Sequence, residues 1–301
     1  MSTGRISLGM VAALGVLLGG VGLAYGFREF LKRELTDAPP GIGGFALARS
    51  VPGTHATLWA VGDGDAGAAS RALTDRIAAR PFDRLIYLGD VYENGTSDEF
   101  ADNYAPTFGR FAGRTAPTPG NHDWHNHPSA YDPYWGKALQ RKKTASWYAF
   151  SAGGWRILSL NSETDHGRGS PQERWLHAQL RRRGTCRIAF WHRARYSAGQ
   201  HGDQPDMAPI WKALRGRARI VLNGHDHDMQ RMRTVDGITE FVSGAGGHGH
   251  YAVHRGDHRL AFADDKRDGA LRLTLRPGRA RYTFVAASGR VLDSGAVRCR
   301  R

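Results

Sequence analysis

The stretch Arg84-Leu85-Ile86-Tyr87-Leu88-Gly89-Asp90-Val91-Tyr92 decides how this chain is read: an apolar β-type run passes directly into a glycine and a carboxylate. The same transition recurs along the sequence. Val61-Gly62-Asp63-Gly64-Asp65, Gly120-Asn121-His122-Asp123, Trp191-His192 and Gly224-His225-Asp226-His227 each place carboxylate, amide or imidazole groups after an apolar segment. These are donors for hard and borderline transition-metal ions. Singly, a Gly-Asp after a strand is more simply a turn, and a lone histidine a core or surface residue. Together and in this order they outline a site for two metal ions, an arrangement that commonly hydrolyses phosphate esters.

Working outward from these motifs, strands are expected at 57–61, 84–88, 155–160, 187–191, 219–222, 239–242, 270–275 and 281–285, with a short one at 115–119. Helical patterns fit 68–79 and 171–183, the second with Ser170 as N-cap and Pro171 at the first helical position. Early alternation of strand and helix, followed by hairpin-like strands, gives a mixed α/β domain. Asp63, Asp90, Asn161, His192 and His225 each follow the carboxyl end of an expected strand, where ligands of open α/β sheets gather.

The 301 residues suffice for a large core. The net charge of +14 comes overwhelmingly from arginine, which suits bidentate phosphate recognition and equally a basic solvated surface. The densest cluster, Arg181-Arg182-Arg183, ends a helical pattern, where cations are favoured anyway. No specific nucleic-acid partner is expected. Residues 6–26 carry no charge, a length that spans a bilayer and exceeds the usual apolar core of a cleaved signal peptide. Ala24-Tyr25-Gly26 still offers a small-residue cleavage site. Arg28, Lys32 and Arg33 after this segment, against Arg5 before it, argue by charge counting for a cytoplasmic domain. The expectation adopted is nevertheless an extracytoplasmic protein, secreted or anchored by its N-terminal segment. The organisation is then a hydrophobic helix within 1–35, a Pro- and Gly-rich linker at 36–53, and one domain from 54 to 301. Cys186 and Cys299 either form a disulfide tying the C-terminus to the core or are two buried thiols.

The motifs resemble those of the calcineurin-like metallophosphoesterases, especially the purple-acid-phosphatase-like branch. The similarity runs from about Thr57 to the C-terminus and includes Leu160-Asn161-Ser162-Glu163 and Val242-Ser243-Gly244-Ala245-Gly246-Gly247. It implies a two-sheet mixed β-sandwich flanked by helices. It also implies two divalent or mixed-valence transition-metal ions, iron, manganese or zinc. Carried over by motif, Asp63, Asp90 and His227 bind the first metal, and Asp90, Asn121, His192 and His225 the second. His122 faces the substrate and protonates the leaving oxygen, Asp123 orients its imidazole, and His201 approximates a second substrate-facing histidine.

Two positions depart from the family pattern. Asp65 stands where many members carry a histidine, and Tyr92 is two residues beyond Asp90 where purple acid phosphatases have a ligand tyrosine three beyond. Both remain candidates for the first metal. Asp63-Gly64-Asp65 also resembles the start of a calcium loop, but the twelfth position is Thr74, not the required glutamate. The implied reaction is in-line attack of metal-bound hydroxide on a small phosphorylated substrate, a monoester first. The alternatives are a phosphodiesterase acting on nucleotides or lipid head groups, and a non-catalytic anion-binding metalloprotein. Of the remaining histidines, His125, His127, His248 and His250 are either cleft-mouth or merely exposed. Trp124, Tyr131, Tyr134 and Trp135 are expected to pack loop against core.

Overall fold

The computed structural model describes residues 48–142, 144–182 and 184–299. The expected hydrophobic helix within 1–35 and most of the linker lie outside the described residues. Two mixed sheets face each other. The first runs in the order β13-β12-β11-β1-β2-β3, built from β1 (Ala56–Val61), β2 (Arg84–Tyr87), β3 (Thr115–Pro117), β11 (Gly269–Arg276), β12 (Arg279–Ala286) and β13 (Val291–Arg298). The second, in the order β10-β8-β9-β7-β6-β5-β4, comprises β4 (Tyr148–Ala152), β5 (Trp155–Ser159), β6 (Cys186–Phe190), β7 (Ile220–Asn223), β8 (Met229–Met232), β9 (Thr239–Ser243) and β10 (Leu260–Asp264). The two-sheet architecture is the one the motifs implied.

Side-chain alternation explains how one strand serves two layers. In β6, Ile188 and Phe190 point into the core between the sheets with Leu58, Leu271, Leu273 and Phe241. Their neighbours Ala189 and Trp191 turn the other way, against Leu176, Leu180, Ile210 and Leu214. Those last residues belong to two covering helices, α4 (Pro171–Leu180) and α5 (Ala208–Leu214). Burying each such side chain contributes roughly 1.5–3 kcal/mol. The Ser170 hydroxyl caps α4 by accepting from Glu173 N–H at 3.1 Å, with Pro171 in the first turn, as expected. Helix α1 (Ala68–Ala78) follows β1, the short turn α2 (Asn121–Trp124) follows β3, and α3 (Tyr131–Ala138) comes next. Tyr131, Tyr134 and Trp135 pack on Phe100 and Tyr104 as core filling, whereas Trp124, the fourth of the expected cluster, is half-buried and stacks on His127 instead.

Four strands carried no readable signal: β4, β8, β10 and β13. The edge strand β13, Val-Leu-Asp-Ser-Gly-Ala-Val-Arg, is mostly exposed and therefore lacks an apolar run. Where the linker was expected to end, Val51 N–H bonds Ser151 C=O at 2.8 Å and Ala48 is buried, so this part lies on the fold. Cys186, opening β6, and Cys299, just past β13, are joined in a disulfide with Cα atoms 5.8 Å apart.

Strand direction positions the site. β1, β2 and β3 are parallel to one another, as are β5, β6, β7 and β9. The carboxyl ends of the central strands of both sheets therefore open on the same edge of the sandwich. The turns that follow them, bearing Asp63, Asp90, Asn121, His192 and His225, converge there.

Candidate metal centre

The turns are tight and partly strained. Asp63, Asp90 and His225 all have left-handed backbones, with φ of 62°, 66° and 73°. Such conformations cost of order 1 kcal/mol or more each in non-glycine residues and cluster at functional sites. Gly120 is needed for close approach rather than for its φ: a Cβ there would lie 2.0 Å from Asp90 Oδ1. Asp123 ties two of these turns together. Its carboxylate accepts from Asp90 N–H at 2.8 Å, Gly120 N–H at 2.9 Å and Val91 N–H at 2.9 Å, and it is buried. It does not contact the His122 ring. The imidazole Nδ1 is held instead by the Glu93 carbonyl oxygen. The expected role of Asp123 as orienter of His122 is therefore corrected to that of a brace. The reason is geometric: as the third residue of α2, Asp123 turns back onto the backbone N–H groups at the start of that turn.

The predicted ligands come together. Asp90, His192 and His225 present donor atoms all within 4.8 Å of one another, and all three are buried. His192 Nε2 lies 3.1 Å from Asp90 Oδ2 and 3.2 Å from both Asn121 Oδ1 and His225 Nδ1. Its Nδ1 donates to Leu88 C=O at 2.8 Å, the backbone contact that fixes a metal-binding tautomer. On the other side, the Tyr92 hydroxyl is 3.1 Å from Asp63 Oδ1, 3.2 Å from Asp90 Oδ2 and 2.7 Å from His227 Nε2. The shorter spacing after Asp90 thus does not keep Tyr92 from the first set of donors. Asp90 Oδ2 is common to both groups, as a bridging carboxylate requires. Asp65 turns away, accepting from Gly67 N–H and Ser70 Oγ at the start of α1. Asn161 also stays outside, its backbone locked to the Gln172 amide at 2.7 and 2.9 Å.

The donor set suits cations. A single hydroxyl proton on Tyr92 cannot satisfy both carboxylate oxygens beside it, and the carboxylate and amide oxygens elsewhere face imidazole nitrogens. Charges respond accordingly. Burial pushes the Asp63 carboxyl up. Burial acts the same way on Asp90, but the adjoining His192 overrides it and holds the carboxyl below the usual range. His192 is lifted to about 10, its burial outweighed by Asp90. Burial, then His248, lowers His227 to about 3, and burial with His192 lowers His225. Neutral imidazole is the form that binds metal. Burial, with Asp63 and Asp90, raises the Tyr92 phenol.

The walls include Tyr251, which the sequence did not single out, and His248, one of the histidines read as either cleft-mouth or merely exposed. Tyr251 stacks on His227 at 4.0 Å between ring centres, and His248 lies flat on Tyr92 at 3.7 Å. His248, His250 and the Gly-rich character of 244–249 pointed to this loop; nothing in the sequence marked Tyr251. His201 is exposed and stacks on His225 at 4.0 Å, which puts it beside the second donor group. His250 pairs with Asp268 at 3.2 Å, while His127 stacks on Trp124 and takes no part.

Fold and donors define a two-sheet sandwich with a buried group of metal-ligating side chains at its strand ends. Residues 54–229 match the calcineurin-like phosphoesterase family, and the chain belongs to it. Among curated relatives it is 27% identical over 217 residues to probable purple acid phosphatase 20 of Arabidopsis thaliana, covering 62% of this chain and 49% of that protein. It is 26% identical over 187 residues to purple acid phosphatase 21 of the same plant, covering 54% and 41%. The chain thus spans about half the length or less of these relatives. Among solved structures, a purple acid phosphatase from yellow lupin seeds superposes with TM-score 0.61 at 17% identity, covering 84% of this chain and 55% of that one. GAP50, described as the anchor in the inner membrane complex of Plasmodium, superposes with TM-score 0.68 at 13% identity over 83% and 90% of the two chains. These two likenesses establish the fold.

Proposed function

We propose that this chain hydrolyses phosphate monoesters with two transition-metal ions, iron, manganese or zinc. The observation that carries the reading is Asp90 Oδ2, a buried oxygen that faces Tyr92 on one side and His192 on the other. Asp63, Asp90, Tyr92 and His227 would hold one ion; Asp90, Asn121, His192 and His225 would hold the other. The chemistry supplied by two bound ions is Lewis-acid polarisation of the ester and a nucleophile at neutral pH. His122 acts as the proton donor: with Nδ1–H engaged by Glu93 C=O, Nε2 delivers its proton to the departing alkoxide. His201, beside His225, offers a donor to the phosphate oxygens. Asp123 keeps the Asp90 and Asn121 turns in register. The named relatives support a monoester as the first substrate class.

A panel of p-nitrophenyl phosphate, an alkyl phosphate and bis-p-nitrophenyl phosphate, assayed with each metal added, tests this reading. Turnover of monoesters is expected, abolished in Asp90→Asn. Turnover of the diester alone would make the protein a phosphodiesterase, and inactivity on every ester with anion binding intact would make it a silent binder. His122→Ala should impair the alkyl phosphate more than p-nitrophenyl phosphate, whose leaving group needs no proton; equal losses would refute the acid role. An extracytoplasmic setting is supported by the Cys186–Cys299 disulfide and the uncharged stretch 6–26. Among the described residues, no helix is long and apolar enough to cross a membrane.

A further inference from the structure

The last three strands of the first sheet carry opposite chemistry on their two faces. Leu271, Leu273, Leu275, Ala280, Tyr282 and Phe284 are buried in the sandwich. The outward positions are Arg272, Thr274 and Arg276 on β11, Arg279, Arg281 and Thr283 on β12, and Ser294, Ala296 and Arg298 on β13. The register puts Arg276 opposite Arg279, and Arg279 opposite Arg298, three cations in one row across the sheet. Neighbouring strands lie about 5 Å apart, and like charges placed directly opposite are destabilising. No carboxylate relieves them: none of these five arginines forms an ion pair among the described residues. Six of the outward residues line a groove of about 520 Å³ that contains no acid.

Position singles out the occupant. The first described residues enter the fold beside β4, where Val51 N–H bonds Ser151 C=O and the Arg84 guanidinium bonds Arg49 C=O at 2.7 Å. The turn after β4 lies against the end of β11: a Cβ on Gly153 would be 2.6 Å from Leu275 Cβ. Chain entry and arginine row therefore share one pole. The metal centre is at the other, because Ala56 pairs with Leu275 whereas Asp63 lies beyond the far end of β1, about 20 Å along the strand. Upstream of this entry the sequence carries the uncharged stretch 6–26, long enough to span a bilayer. The arginines spread over three strands in two dimensions, which matches a planar array of headgroups better than a single polyanionic strand. We propose that this arginine face docks on an anionic phospholipid surface and holds the metal centre at the pole pointing away from it.

Near an anionic bilayer each basic residue contributes about fivefold, so three together contribute on the order of a hundredfold. The test uses the full chain with a dye on Ser294→Cys, the native cysteines being paired, and vesicles carrying nitroxide headgroups. Strong quenching is expected with phosphatidylglycerol present and little with phosphatidylcholine alone, and salt should reverse it. The triple variant Arg276→Gln/Arg279→Gln/Arg298→Gln should shift the docked-to-free ratio on the order of a hundredfold while keeping hydrolysis of a soluble ester, which certifies its fold. Equal quenching with both lipids, quenching unchanged in the triple variant, or no quenching with phosphatidylglycerol would overturn the proposal. Retardation of a nucleic-acid duplex by the same arginines, without vesicle quenching, would assign the face to a polynucleotide instead.

Discussion

Replacing Asp123 with alanine separates the two roles this residue could serve. The carboxylate accepts three backbone N–H groups, from Asp90, Val91 and Gly120, at 2.8–2.9 Å in a site with 1% exposure. Each buried donor left without an acceptor costs about 1–3 kcal/mol. Partial relief by entering water leaves an expected loss of roughly 3–6 kcal/mol, a large fraction of a typical total of about 5–15 kcal/mol. Metal affinity should fall about 10–100-fold as well, because Asp90 and Asn121 lose their support. His122→Ala, at a partly exposed position, should change stability by within roughly 1 kcal/mol. Urea unfolding of the metal-free protein gives the first number and calorimetric titration with manganese or zinc the second. If Asp123→Ala unfolds at the wild-type urea concentration, binds metal normally and loses only the activity already lost in His122→Ala, then it orients the imidazole and the bracing argument is wrong.

Three further outcomes follow from the geometry. Tyr92→Phe removes the hydroxyl between Asp63, Asp90 and His227, so ferric loading should lose its visible phenolate absorption; an unchanged spectrum would place Tyr92 outside the coordination sphere. Reducing the Cys186–Cys299 bond, which spans 113 residues, should lower stability by about 4–5 kcal/mol on the chain-entropy account, measured by urea unfolding with and without reductant. Burial raises Glu240 to about 8 from 4.5, partly offset by the Arg195 and Tyr196 N–H groups. The folded state thus holds this proton more tightly, and its contribution to stability is present below pH 4.5 and lost as pH rises to 8. Glu240→Gln should flatten the stability–pH curve across that window, and an undiminished slope would locate the titration elsewhere.

Much of the site was legible because each donor sits in a short motif directly after a strand, and a strand's end is a local property. Asp63, Asp90, Asn121, His192, His225 and His227 needed only that. Tyr92 was ambiguous in sequence because counting residues does not measure reach; the path of the backbone between Asp90 and Tyr92 brings the hydroxyl to the first donor group. Tyr251 stacks on His227 and His248 on Tyr92; the sequence offered His248 for the cleft mouth but could not say which ring it meets, and Tyr251 carried no signal at all. Strands β4, β8, β10 and β13 escaped notice because their pairing comes from neighbours distant in sequence.

The sequence by itself determined the donor chemistry, the order of the motifs and the mixed α/β character, since residue type and hydrophobic period are written locally. Tertiary structure decided what those residues do to one another. It made Asp90 the shared oxygen, gave Asp123 to the backbone and Glu93 to His122, and paired the two cysteines. It also gathered five arginines from three strands onto one face, because cross-strand register exists only once the sheet has formed.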